Sequence, residues 1–228
     1  MSNNTRNDIK ALAYVLRRTN YGEADRILNL ITPEGKISAI AKGVRKEKSK
    51  LAGGIEMFSL VELHLRRGKG DLNVVASAKM IKYYDKLLVD LNKMELAAMM
   101  LKNVNRLADS SDSPEYFKII DQSLSSLNGG VDEMLVESWF LLNLAKASGE
   151  EVNLYRDVDG RKLSAEYRYA WDPIGAVFFE KSSGDYGADE IKVLRLILTT
   201  DLLIVARVKN LGDMLPNILR LARSISGK

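Results

Sequence analysis

The 228-residue sequence contains no cysteine and only one histidine, His64. The first absence excludes disulfides, a thiol nucleophile and a thiolate metal site. The second excludes a histidine-rich metal cage, so structural zinc and other metal cofactors are not expected. A catalytic triad would have only His64 to draw on. Long apolar runs are missing too: none approaches the roughly 20 residues needed to cross a bilayer, and a membrane is not an expected partner. The segment "MSNNTRNDIKALAYVLRR" is polar ahead of a short apolar stretch and carries no secretory signal. These absences point to a soluble, cytoplasmic protein.

What is present is ordinary in bulk and uneven in detail. Hydrophobic residues make up 46% and charged residues 28%, as in soluble globular proteins, and the length suits one large domain or two small ones. The net charge is only +4, but it is not shared evenly. Residues 1–82 hold 16 Lys and Arg against 8 Asp and Glu, whereas the remainder holds 18 against 22. The densest point is "AIAKGVRKEKSKLAG", residues 39–53, in which Lys42, Arg45, Lys46, Lys48 and Lys50 are opposed only by Glu47. Such a run is either a solvated turn or a grip on a polyanion.

Periodicity divides the chain in the same place. "LAYVLRR", "RILNLIT", "KISAIAKG", "MFSLVELHLRR" and "LNVVASAKM" are short runs rich in Val, Ile and Leu, separated by turn signals such as "TNYGE", "TPEGK" and "RGKGD". Val61, Leu63 and Leu65 alternate with Glu62, His64 and Arg66, the period of a half-buried strand. Five short strands in about eighty residues predict a small barrel of the OB-fold type. After residue 82 the spacing changes to threes and fours, as in Leu87, Leu91, Met94, Ala98, Leu101 and Val104. Ser113-Pro114 opens a second helix that ends at Gly129-Gly130, and Leu135, Trp139 and Leu142 mark the inner face of a third. Leu211, Leu215, Ile218, Ala222 and Ile225 stripe a last helix with Pro216 expected in its first turn. Residues 152–187, rich in aromatics and with turns at Asp159-Gly160 and Asp172-Pro173, predict an inserted β-hairpin. The fold class is therefore α+β: an OB-fold domain over 1–82 and an α-helical domain over 83–228.

Chemistry by catalysis finds no support. The glycines of "GKGDLN" and "LAGGIEM" lack the spacing of a phosphate-cradling loop. Asp157 with Asp159, and Asp185 with Asp189, are carboxylate pairs in polar turns with nothing nearby to shift their pKa values. His64 reads as an exposed strand residue, and Met94, Met99 and Met100 as gap-filling core. The protein is not expected to be an enzyme.

The basic residues are different, because the predicted barrel gathers them. Arg17 and Arg18 end the first strand, Lys42, Arg45, Lys46, Lys48 and Lys50 lie on the connection between the third and fourth, and Arg66, Arg67 and Lys69 lie at the turn between the fourth and fifth. OB-folds bind single strands through a strand face and the loops beside it. These ten side chains are the predicted DNA-binding residues, forming a cationic funnel for phosphates. Gly43, Gly53 and Gly54 would let the long connection move. Tyr21 and Phe58 are candidates for stacking on bases, although a Phe in an apolar strand is also a core residue. No groove-reading helix is visible, so sequence-specific readout is not expected.

The same stretch resembles the N-terminal half of the bacterial recombination mediator RecO family. Tyr21-Gly22-Glu23, Thr32-Pro33 with Gly35, Ala41-Lys42-Gly43-Val44-Arg45, Lys48, Lys50-Leu51-Ala52-Gly53 and Phe58-Ser59 follow the family's order and spacing. The close match covers about residues 10–80. The resemblance implies an OB-fold followed by helices and a non-enzymatic role in DNA repair. It further implies binding of single- and double-stranded DNA, annealing of complementary strands, and help in loading RecA onto strands covered by single-strand-binding protein. RecR and single-strand-binding protein are the implied partners, RecA an indirect one, and the cytoplasmic nucleoid the implied location. Many relatives carry four zinc-binding cysteines in the insertion, where this chain has "RDVDGRK" and "DPIGAVFFEK". A zinc-free hairpin must then hold itself by packing Tyr155, Tyr167, Trp171 and Phe178. An OB-fold adaptor for an acidic protein, or an RNA-binding factor using the same loops, are the other readings of these charges.

Overall fold

Every second side chain from Ser59 to Leu65 is buried, and Val61, Leu63 and Leu65 have no exposed surface at all. In the computed structural model, which describes residues 8–68, 72–109 and 113–226, this alternation is one wall of a barrel. Its strands are β1 (Asp8–Tyr21), β2 (Asp25–Thr32), β3 (Gly35–Ala41), β4 (Ser59–Arg66) and β5 (Leu72–Tyr83), as the turn signals predicted. They close in the order β1-β2-β3-β5-β4, antiparallel throughout except between β3 and β5. β1 is long because it serves two partners. Asp8 to Tyr14 pair with β4, and Tyr14 to Tyr21 pair with β2. The register shifts between Val15 and Arg17, the kind of bulge that bends a strand around a barrel.

The barrel interior is filled by small and branched side chains, among them Ala13, Val15, Leu28, Leu30, Ala39, Ala41 and Val75. The outward faces of β1 and β2 are buried as well, at Tyr14, Leu16 and Ile31. Two helices account for this. Helix α1 (Leu91–Leu107) packs on β1, and near its end Asn105 accepts hydrogen bonds from Asn29 of β2 and Lys36 of β3. Helix α2 (Glu115–Asn128) sends Phe117 against the Tyr14 ring and Asp121 to its hydroxyl. The N-cap of α1 is Asp90, which accepts from the amides of Asn92 and Lys93. Its buried face is Leu96, Ala97, Met100, Leu101 and Val104, which corrects the predicted stripe: Leu91 is exposed and Ala98 lies outside that face. The helix starts only at Leu91, so Leu87 belongs to a separate 3-10 turn and cannot set its phase.

The chain divides into two compact units, 1–124 and 125–228. In the second, α3 (Glu133–Ala147) is buried nearly all round, and packs on α4 (Ala188–Thr199) and α6 (Leu211–Ser226). The short α5 (Leu202–Val205) follows α4. Asn143 and Lys146 of α3 donate to the carbonyls of Ile197 and Leu198, closing the end of α4. Glu137 takes both ends of the Arg223 guanidinium at 2.6 and 2.8 Å. Pro216 lies inside α6 rather than in its first turn, so one backbone hydrogen bond of the helix is missing there.

The insertion forms the hairpin β6 (Tyr169–Asp172) and β7 (Val177–Glu180), with Asp172 accepting from the amides of Ile174 and Gly175 in the turn. Its centre is Phe178, edge-on to Tyr169, Trp171 and Tyr186. Tyr155 and Tyr167, expected in that core, are largely exposed, and Tyr155 instead lies under the Arg195 guanidinium. Among the described residues no helix is long and apolar enough to cross a membrane.

Candidate nucleic-acid interface

The basic connection between β3 and β4 is not a free loop. It runs as successive tight turns, with the Lys46 amide donating to Gly43 and the Ser49 amide to Lys46. A 3-10 turn at Ala52–Gly54 then leads back to the barrel. Val44 and Ile55 plug the barrel core at either end of the run, with Leu51 and Ala52 packed beside them. The polar residues face outward: Arg45, Lys46, Lys48 and Lys50 between these anchors, and Lys42 just before them, are all on the surface. Two of the glycines are required by this path. Gly43 takes φ +64, a conformation that disfavours any Cβ. Gly54 lies so close to β5 that a Cβ there would fall 2.6 Å from both the Cβ and the carbonyl oxygen of Ala78.

The connection is docked on the turn between β1 and β2. The Arg45 amide donates to the Ala24 carbonyl at 2.8 Å, the Arg45 guanidinium reaches the Gly22 carbonyl at 3.3 Å, and the Gly43 amide donates to the Asp25 carboxylate at 2.7 Å. Tyr21, which is 56% exposed, ends β1 at this turn, and Arg17 is exposed four residues earlier, opposite Asn29 of β2. Phe58 is half-buried with φ +57, at the entry to β4. Arg18 is committed elsewhere, paired with Glu56 at 2.9 Å.

The third predicted group lies at the end of β4 and the turn that follows it. Arg66 pairs across the sheet with Asp8 at the start of β1, and their side chains lie 3.9 Å apart. Arg67 is exposed beyond it, and Lys69 lies outside the described residues. Leu72, at the exit of this turn, stands opposite Ser38, four residues before Lys42, or about 13 Å of strand path. Arg66 itself stands opposite Val74, which stands opposite Ile40, so its row lies two residues before Lys42. A groove between β3, the start of β5 and the end of α1 is lined by Lys36, Ser38, Leu72, Asn73 and Asp109.

The candidate acidic sites resolve into turn chemistry. Asp157 is buried and accepts from the amides of Asp159 and Arg161, so it shapes a turn. Among the described residues no group of three or more His, Asp or Glu side chains is placed to hold a metal ion. Sequence reasoning missed three lysines on the surface of the strands themselves, Lys10, Lys79 and Lys82. Lys79 and Lys82 are three apart, a spacing that ordinarily puts strand residues on opposite faces.

Comparison with known proteins agrees with this architecture. A family profile described as "Recombination protein O N terminal" matches residues 6–84, the barrel almost in full. A protein named DNA repair protein RecO from Dehalococcoides mccartyi (strain CBDB1) is 30% identical over 213 residues, covering 89% of this chain and 83% of the relative. Another of that name from Heliobacterium modesticaldum (strain ATCC 51547 / Ice1) is 39% identical over 112 residues, 49% of this chain and 41% of the relative. With the first of these matches spanning most of both chains, the protein belongs to the DNA repair protein RecO family.

Proposed function

We propose that this protein is a non-enzymatic mediator of recombinational DNA repair. It binds single- and double-stranded DNA at the rim of its barrel, anneals complementary strands, and helps load RecA onto strands covered by single-strand-binding protein. The observation that carries the reading is the connection from Lys42 to Lys50: five cations held outward on a backbone fixed at both ends. A solvated turn needs no such anchoring, whereas a phosphate grip gains from it, because less freedom is lost on binding. Arg17 adds a sixth exposed cation on β1, and Tyr21 an exposed ring on which a base can stack. Arg66 and Arg67 add exposed cations at the end of β4, Lys69 stays in the proposed set, and Arg18 contributes by holding Glu56. Interactions of this kind grip phosphates without reading sequence. The acidic second half repels DNA and is where RecR and single-strand-binding protein dock.

The test is affinity for single-stranded DNA measured against salt, with Arg45, Lys46, Lys48 and Lys50 all changed to Glu. Binding should fall strongly, and the slope of log K against log salt should drop by about 0.7 for each phosphate no longer neutralised. Circular dichroism should be unchanged, because none of the four side chains packs in the core. A variant with unaltered affinity and slope would refute the reading. Salt-independent binding by the unmodified protein would favour a protein adaptor instead.

A further inference from the structure

An OB-fold that binds oligonucleotides uses the face of its second and third strands. Here part of that face is taken: Asn29 and Lys36 are hydrogen-bonded to α1, and Ile31 is fully buried. The outer face of β1 ahead of Tyr14, together with β4 and β5, is exposed at Lys10, Leu12, His64, Lys79 and Lys82. Its rows are set by register: Lys10, His64 and Ser77 form one, Leu12, Glu62 and Lys79 the next, and Leu60 with Lys82 the third. The bulge at Ile81 is what brings Lys79 and Lys82 to one side. Val61 pairs with Met80 and Leu60 with Lys82, so the extra residue restores the alternation that a spacing of three would break.

The middle of this face is cationic around Glu62, and Asp8 at its edge faces Arg66. Lys10 reaches Glu62 at 2.9 Å and His64 lies 4.0 Å from it, and both Lys10 and His64 are well exposed. The hydrogen bond from Lys10 holds the Glu62 carboxyl below the usual range, with the charges of Lys10, His64 and Lys79 acting in the same direction. Lys82 extends the cluster, its ammonium 4.8 Å above the Tyr84 ring. Rows two residues apart are about 6.6 Å apart, and the three strands span about 10 Å. That is room for a phosphate backbone to cross the sheet beside exposed Leu12, which is 40% accessible.

We infer that this outer β1–β4–β5 face is a second phosphate-binding track, which holds a second single strand while the Lys42–Lys50 rim holds the first. The inference rests on the DNA-binding reading above and adds to it the geometry that strand annealing requires: two strands on one barrel, with Glu62 limiting how tightly the second is kept. A strand held too firmly on this face would not be released into a duplex.

Two dT oligonucleotides that cannot pair, each with its own dye, test this by energy transfer in a ternary complex. The unmodified protein should take two strands per chain. Lys79→Glu with Lys82→Glu should bind the first strand within about twofold but lose the second at least tenfold, with its salt slope lower by about 1.4. Lys79→Gln with Lys82→Gln is the milder version in case the reversal disturbs folding. Glu62→Gln should act oppositely and tighten second-strand capture about threefold or more. Unchanged ternary complex in both lysine variants would overturn the inference while leaving the rim intact, as would a single strand per unmodified chain. If the unmodified protein binds no strand at all, the DNA-binding reading itself fails.

Discussion

The Asp25 carboxylate accepts a hydrogen bond from the Gly43 amide at 2.7 Å, tying the start of β2 to the first turn of the basic connection. Two residues 18 apart in sequence thereby decide where five cations point. The bond is also a lever on function, because Asp25 is itself an anion beside that cluster. Removing it should strengthen phosphate binding if charge alone matters, and weaken binding if the connection must be positioned.

We expect positioning to win. Asp25→Ala should lower single-strand affinity severalfold although it removes a negative charge, and should cost about 1–3 kcal/mol of stability by stranding the Gly43 amide. Gly43→Ala should cost about 1–2 kcal/mol through the left-handed backbone alone, since its new Cβ meets nothing closer than the Lys46 side chain at 3.7 Å. Urea unfolding gives the stabilities and fluorescence anisotropy the affinities. A rise in affinity for Asp25→Ala would contradict the expectation.

Gly54→Ala tests the other anchor. Its Cβ would collide with the backbone of Ala78, so β5 or the 3-10 turn must shift. Overpacking of this kind typically costs about 1–3 kcal/mol. The midpoint of denaturation should fall, and DNA affinity with it, while Gly53→Ala, which meets nothing within 4 Å, should leave both nearly unchanged.

The strands were legible in the sequence because one side of each faces a core and the other does not, and Val61, Leu63 and Leu65 keep that rhythm without exception. Helices α1, α2, α3 and α6 were equally plain, whereas α4 and α5 were not read from the sequence. What failed was whatever depended on a neighbour. Tyr14, Leu16 and Ile31 lie on outer strand faces, and nothing local indicates that α1 and α2 cover them. The phase of α1 was misread because Leu87, just outside the helix, is as apolar as a residue within it. The rim residues Lys42 to Lys50 were visible as charge, but their rigidity was not, since it comes from Val44 and Ile55 reaching the core. Gly43 and Gly54 look like hinges in sequence, and only the fold shows the left-handed φ of one and the close approach of the other to Ala78. The face of Lys10, Lys79 and Lys82 was hidden by a bulge, which no spacing rule anticipates.

A buried chain of hydroxyls joins β1 to the helices that cover it. Tyr14 donates to the Asp121 carboxylate at 2.5 Å, and the Tyr84 hydroxyl bonds the Tyr14 oxygen at 2.7 Å. Burial, reinforced by the hydrogen bonds to Asp121 and Tyr84, pushes the Tyr14 hydroxyl far above the usual tyrosine range. In the unfolded chain this hydroxyl ionises near pH ~10. Below that pH both states keep the proton and the contribution is fully present. Above it the unfolded state loses the proton and the folded state does not, so stability falls as pH rises. Tyr14→Phe should cost about 1–3 kcal/mol at neutral pH and should unfold with a weaker dependence on pH above about 10. Equal slopes for both proteins in alkaline urea titrations would argue against this linkage.

The insertion offers the last prediction. This chain has no cysteine, and its single His cannot complete a tetrahedral zinc site. The hairpin is held by other means. Phe178 has no exposed surface and meets Tyr169, Trp171 and Tyr186 edge-on at centroid distances of 6.5, 5.0 and 5.4 Å. The turn that precedes it is shaped by the buried Asp157 carboxylate, which accepts from the Asp159 and Arg161 amides at 3.0 and 2.9 Å. That turn is joined to β7 through the Val158 amide and the Phe178 carbonyl at 2.8 Å. Phe178→Ala should therefore cost about 3–5 kcal/mol, the range for emptying a packed aromatic site. Asp157→Ala should loosen the turn by leaving two amides unpaired. A chelator should do nothing to the unmodified protein. Thermal unfolding with and without chelator, beside metal analysis of the purified chain, checks all three. Stoichiometric zinc together with chelator-induced unfolding would show that a metal, and not the aromatic cluster, carries the insertion.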